Sequence, residues 1–363
     1  MKALISVDME GISGIVHSSE TNPERYDYQR GRELMTAEAN AVIAGVLDAE
    51  PTADVLVADA HGTFRNLLPE QLDRRARLVR GKPRALNMLA GLDEETDAAL
   101  FVGYHVRAGE GPGVLAHTMN GEILDVRVTG RAQGEDVRIT GHTPGEGAQV
   151  TAHAPGDGAQ VTAHTPGDGA QVTARTPGGG VQLTAHAPGG GVQLTAHAPG
   201  EGAQTTAHAP GEDVRTTGRS LGEIGLNAAM AGHLGVPVVL LSGDDAACAE
   251  AAALIPEVVT VPVKEALGMA AAVTLHPEEA RDRLRRAAAD AVSRRTEIPP
   301  LALTGPLHVE VDLASPHTID LATLVPGVSR TAGARTVAFT APDYGTAYRL
   351  ILLLAQLATI RPA

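Results

Sequence analysis

An 11-residue motif repeats in tandem through the middle of the chain, and it governs how everything around it must be read. Units AQVTAHAPGDG, AQVTAHTPGDG and AQVTARTPGGG begin at Ala148, Ala159 and Ala170, and VQLTAHAPGGG and VQLTAHAPGEG follow from Val181 and Val192. One position of the unit holds His142, His153, His164, Arg175, His186, His197 and His208, always 11 apart. Continued outward, the series reaches Arg131 in DVRVTGR and Arg219 in DVRTTGR, which are near copies of each other. Removing the eight units between them, 88 residues, leaves a 275-residue chain with a seamless ILDVRVTGR-SLGEIGLNA junction. The pattern reads as tandem duplication of one strand and turn. Residues 1–131 and 219–363 are then one domain, and 132–218 an insertion within it.

An 11-residue period alone would suit a right-handed helical supercoil, but Pro-Gly in each unit stops a helix. Short extended Q-V-T-A-H segments joined by Pro-Gly turns fit better, as a weak β-meander or as disordered chain. Each unit offers only Val or Leu plus Ala for burial. That is too little to offset ~1–2 kcal/mol of backbone ordering per residue, so the insertion is expected to be flexible or weakly stranded. A His-rich tract can buffer metal, yet histidines 11 apart make no chelating pair. Slippage also copies residues without selecting them, so the array is expected to carry no chemistry.

Composition closes other doors. Forty-three acidic residues against 29 Lys+Arg leave a net charge of −14. Without a basic patch the chain cannot neutralise phosphates, so no nucleic-acid partner is expected. The single cysteine, Cys248, excludes a disulfide framework and a cysteine-based zinc site. The opening MKALISVD meets an acid at Asp8, too early for a signal peptide. No run approaches the ~18 apolar residues of a membrane span, and the expectation is a cytoplasmic protein with no membrane partner.

Outside the insertion, strands and helices alternate. Apolar runs at 3–7, 55–58, 98–102 and 236–241 read as buried strands, and helices are expected near 30–47, 222–233, 245–254 and 277–293. Ser242, Asp244 and Asp245 are cap candidates, and Pro277 with Glu278 and Glu279 opens the last of these helices. Short strands near 308–313 and 336–339 and a helix from Tyr344 close the chain. The fold class is α/β: a mostly parallel layered sheet with flanking helices, a smaller C-terminal α+β portion and the low-complexity repeat insertion. In such sheets ligands gather beyond the carboxyl ends of the strands.

Three of those ends carry metal-type donors. The first strand runs into Asp8-Met9-Glu10-Gly11, where two-residue alternation would place both carboxylates on one side. The second ends in Asp59-Ala60-His61-Gly62 and the third in Gly103-Tyr104-His105. His117 follows twelve residues later, and Glu223 starts the helix after the repeat. Each alone is ordinary for a cap or a satisfied structural side chain. Together they form the mixed nitrogen and oxygen set that zinc and related divalent ions accept, and Asp8 could bridge two ions. Asp59 is poised either to orient His61 or to point into the turn.

Six ordered motifs carry a family resemblance. They are SVDMEGISG (6–14), DAH (59–61), GYHVR (103–107), PGVLAHTM (112–119), GEIGLNA (222–228) and PVVLLSGDD (237–245). The chain resembles the zinc D-aminopeptidases of the DppA type, dinuclear zinc metallopeptidases, across essentially all of the 275 residues. The resemblance implies two zinc ions per subunit held by Asp8, Glu10, His61, His105 and Glu223, with His117 catalytic as acid/base or nucleophile. It also implies release of N-terminal D-amino acids from short peptides, and a homo-oligomer, a decamer of two stacked five-membered rings. The donor types alone also suit another two-metal hydrolase, an amidase or phosphoesterase. The His-rich repeat leaves metal buffering as a non-enzymatic reading.

Overall fold

The structure, a computed structural model, describes residues 1–132, 138–140, 149–153, 159–164, 171–175, 181–186, 193–197, 204–208, 219–331 and 333–360. Its packing resolves into two units, Met1–Gly130 with Gly218–Ala363, and Arg131–Thr217.

In chain order the first unit contains β1 (Lys2–Val7), α1 (Ser18–Thr21), α2 (Tyr28–Ala49), β2 (Asp54–Asp59), β3 (Arg77–Val79), β4 (Ala98–Tyr104) and β5 (Ile123–Ala132, whose last two residues fall in the second unit). After the insertion come β6 (Arg219–Ser220), α3 (Glu223–His233), β7 (Val238–Asp244), α4 (Asp245–Leu254), β8 (Val259–Gly268) and β9 (Ala271–Thr274). Then follow α5 (Pro277–Ser293), β10 (Leu303–Leu313), α6 (Pro316–Ala322), β11 (Ser329–Arg330), β12 (Thr336–Ala341) and α7 (Tyr344–Leu357).

Seven strands form the main sheet in the order β9-β8-β7-β4-β1-β2-β3. All neighbours run parallel except the β8–β9 hairpin. Strands β4 and β7 are buried along their whole length, β4 as a near-continuous apolar run and β7 with Ser242 and Asp244 buried at its end. Helix α2 turns Met35, Ala39, Val42, Ile43 and Val46 inward at three- and four-residue spacing and packs on α5. Asp244 caps α4, accepting the Ala247 amide at 2.8 Å, and Pro277 occupies the first turn of α5. A second, smaller sheet, β6-β5-β10-β12-β11, carries the C-terminal α+β portion.

Strand order reverses between β1 and β4. The chain leaves β1 for β2 on one side and later returns through β4 on the other, so a crevice opens beyond their carboxyl ends. At the insertion's edge, β6 pairs antiparallel with β5, Arg219 opposite Val128 and Ser220 opposite Arg127. The chain therefore re-enters the first unit beside the point where it left.

Within the second unit, the described strands at 159–164, 181–186 and 204–208 pair parallel and in register, as do those at 149–153, 171–175 and 193–197. Residues 138–140 add antiparallel to the second set. Neighbours are thus two repeat units apart, and the expected meander of successive units is not what forms. Identical units can pair with matching residues aligned, and alternate units fall in alternate sheets. The expected flexibility concerns segments outside the described residues. Among the described residues no helix is long and apolar enough to cross a membrane.

Candidate metal centre

Asp8 and Glu10 lie just past β1, which ends at Val7, so it is a tight turn rather than strand alternation that brings both carboxylates inward. Gly11 makes that turn possible. Its amide donates to the Gly103 carbonyl at 2.8 Å, and a Cβ on Gly11 would sit 2.0 Å from the Tyr104 carbonyl oxygen. Gly103, at φ +70°, takes the left-handed conformation that glycine adopts without strain.

Two further groups hold this turn, and neither was nominated from the sequence. The buried Lys264 ammonium, from β8, donates to the carbonyls of Glu10 (2.5 Å), Ile12 (3.1 Å) and Ile15 (2.6 Å). Burial lowers its pKa to about 8. Glu38 of α2 accepts the Ser13 amide and hydroxyl at 2.9 and 2.5 Å, and burial raises its carboxyl above the usual range. A lysine set among Val261, Val263 and Ala266 of an apolar strand was the available signal for the first.

The remaining residues arrive from β2, β4, the 112–119 loop and α3. His61 Nδ1 stands 3.0 Å from Glu10 Oε2 and 3.4 Å from Asp8 Oδ1. His105 Nε2 stands 3.5 Å from both Asp8 Oδ2 and Glu223 Oε1. His117 Nε2 lies 3.8 Å from Glu223 Oε1, its ring stacked on that of His105 with centroids 4.1 Å apart. All six expected residues therefore converge. Asp8 turns one carboxylate oxygen to each of two histidines.

Each imidazole is fixed by its other nitrogen. His61 Nε2 donates to the Thr21 carbonyl (2.9 Å), His105 Nδ1 to that of Val106 (3.1 Å) and His117 Nδ1 to that of Leu115 (2.8 Å). A carbonyl oxygen can only accept, so the proton sits on those nitrogens; this leaves His61 Nδ1 and His105 Nε2 able to donate to a cation, and the His117 Nε2 lone pair able to accept a proton. Asp59 does not orient His61. Its carboxylate accepts the amides of Asn66 (2.5 Å) and Leu67 (2.8 Å) and the Asn66 side chain (2.7 Å), closing the loop that carries the histidine.

The loop bearing His117 is tied down on both sides. Val114 donates to Asp244 (2.8 Å), Leu115 to the Met269 carbonyl (2.9 Å) and Met119 to Glu223 (2.6 Å). Leu115 and Met119 hold φ of +52° and +60°, strain that these bonds sustain on either side of His117.

Electrostatics single out the cluster. Asp8 is 2% exposed and His105 1%. Burial, reinforced by Glu10, pushes Asp8 up to about 7. Burial opposes ionisation of Glu10 and Glu223 too, but His61 holds the first well below the carboxylate range and His105 lowers the second. Glu223 and Asp8 in turn overcome the burial of His105 and raise it to about 10. Three buried carboxylates in contact call for positive charge. His105 Nε2 is buried with no hydrogen-bond partner, although it faces two carboxylates. Donor atoms of Asp8, Glu10 and His105, and separately of His105, His117 and Glu223, lie within 4.8 Å of one another. An oxygen and imidazole set of this kind, free of sulfur, suits zinc. The cluster opens into a cavity of about 420 Å³.

Comparison with known proteins gives the family. The family described as D-aminopeptidase, Peptidase M55, matches residues 1–157 and 189–353. The chain belongs to the D-aminopeptidase family. A D-aminopeptidase of Bacillus subtilis (strain 168) is 30% identical over 358 residues, covering 99% of this chain and 98% of that protein. The solved structure of the Zn-dependent D-aminopeptidase DppA from Bacillus subtilis, described as a self-compartmentalizing protease, matches with TM-score 0.72 and 28% identity over 100% of both chains. The α/β fold is thus that of a D-aminopeptidase.

Proposed function

We propose that this D-aminopeptidase-family chain hydrolyses N-terminal D-amino acids from short peptides at a pair of zinc ions. The observation that carries the reading is the divided Asp8 carboxylate, with one oxygen toward His61 and the other toward His105. On this reading Asp8 is shared, Glu10 and His61 complete one position, and His105 and Glu223 complete the other. Bound there, zinc supplies Lewis acidity to the scissile carbonyl and to water.

The chain's own residues do the rest. His117 has a side chain 30% exposed, against 6% or less for the three carboxylates, and it lines the cavity. Its Nδ1 proton is held by Leu115, so Nε2 takes a proton from the attacking water and returns it to the leaving amine. The cavity of about 420 Å³ admits a short peptide and little more. Residues 1–131 and 219–363 act as one catalytic domain interrupted by the repeat at 132–218. We also infer a homo-oligomer, which the self-compartmentalizing relative supports, and take a decamer as its form from the family resemblance alone.

Zinc-loaded protein assayed on D-Ala and L-Ala p-nitroanilides and on p-nitrophenyl phosphate tests the proposal. Release from the D-anilide with about two tightly held zinc ions per chain is expected. Phosphatase turnover with silent anilides would overturn it.

A further inference from the structure

The cavity that holds the metal donors also contains one cation. Besides Asp8, His61, His117 and Glu223, its lining includes Lys82 together with the neutral amides of Asn87, Asn120 and Gln356. Lys82 Nζ donates to the Gly62 carbonyl at 2.9 Å and stands 5.5 Å from the centre of the Phe64 ring. Both partners are neutral, and among the described residues no carboxylate is paired with it. Among the arginines of the same unit, Arg75, Arg77 and Arg285 each close on an aspartate. An ammonium brings three donors, so two remain for a ligand.

Its position is set by the metal site itself. Gly62 follows His61 directly, so the ammonium is tethered one residue beyond a metal donor. An extended dipeptide spans about 7 Å and a tripeptide about 10 Å, the scale of this cavity. Such a substrate is a zwitterion, and the cavity is polarised to match: carboxylates at the donor cluster, a lone ammonium beside it.

Resting on the proposed function, we infer that Lys82 determines specificity by binding the free C-terminal carboxylate of a di- or tripeptide whose amino end lies at the metal donors. The pair would be a charge-assisted hydrogen bond at the mouth of a partly closed cavity. It makes short, unblocked peptides the preferred substrate class and leaves C-terminally amidated ones without an anchor.

Zinc-loaded native protein and the K82Q and K82R variants would be compared on D-Ala-Gly and D-Ala-Gly-Gly, on the corresponding C-terminal amides, and on D-Ala p-nitroanilide. K82Q is expected to raise KM for the free acids by roughly 2- to 5-fold, the worth of an exposed charge pair. Its kcat, its KM for the amides and anilide, and its zinc content should stay close to native. K82R should restore most of the affinity. Added salt should raise KM for the acids alone in the native enzyme. An equal loss on acids and amides, or no change on either, overturns the assignment while leaving the aminopeptidase intact. A native enzyme that cleaves neither series removes the functional reading, and this inference with it.

Discussion

At the residue scale, the proposed function divides the six clustered side chains into five that would hold cations and one, His117, that would move a proton, and substitution should separate them. H117A should keep its zinc while kcat falls by about 10²- to 10⁴-fold, the usual worth of a positioned acid/base. Turnover and metal analysis on the same sample check this. D8N instead weakens both cation positions at once, so zinc content itself should drop. The metal-free protein should also show a defined pH response. Glu223 and Asp8 raise His105 from 6.5 to about 10 in the folded state, against its burial. A raised folded pKa means that the stabilising contribution is complete below pH 6.5 and is lost as pH climbs through about 10. Zinc binds better as its ligands lose protons, so the gap in Tm between zinc-loaded and chelated protein should widen from pH 6.5 to 10. A gap that narrows would contradict the pairing of His105 with Glu223 and Asp8.

At the scale of elements, the donors owe their positions to groups that touch no substrate. The turn after β1 hangs on Lys264 from β8 and Glu38 from α2, and the His117 loop on Asp244, Met269 and Glu223. K264M would strand three buried carbonyls at a cost of roughly 1–3 kcal/mol each. A lower Tm and weaker zinc affinity are expected together, measured by thermal unfolding and competitive metal titration. G11A should act on the same turn more locally. The added methyl meets the Tyr104 carbonyl 2.0 Å away, so the turn must shift and carry Asp8 and Glu10 with it. Its zinc affinity should fall further than its Tm does.

For the whole molecule, the question is whether the inserted repeat separates Glu223 from the other donors. It does not: the chain leaves and rejoins the first unit through the paired β5 and β6, and Glu223 stands 3.5 Å from His105. Loop-closure entropy grows only by about 0.6 kcal/mol per doubling of length, so a long excursion between joined ends is tolerable. Excising residues 132–219 should therefore leave zinc content and D-anilide turnover close to native. The oligomer mass of the excised protein, from light scattering, should correspond to the same number of subunits.

Much was legible in the chain itself. The alternation of apolar runs with 3.6-residue patterns marked the parallel sheet and its main helices, because buried strands and amphipathic helices are local consequences of residue order. The repeat marked its own borders, and six acidic and histidine residues, five of them at or just past strand and helix ends, marked the cluster. What residue order could not express is anything that depends on two distant segments meeting. A short element such as β3 gains its form from pairing with β2, so it left no local pattern, while α1 is held by a His17–Glu20 capping box too short to stand out in the residue order. Lys264 and Glu38 look like ordinary charged residues until a sheet and a helix bring them to the same turn. Asp59 could have served His61 or its own loop, and only the placement of the Asn66 and Leu67 amides decided for the loop. The donor chemistry of this protein is written in its residue types, while the distances that bring those residues together, because they close across four separate strands and helices, belong to the fold.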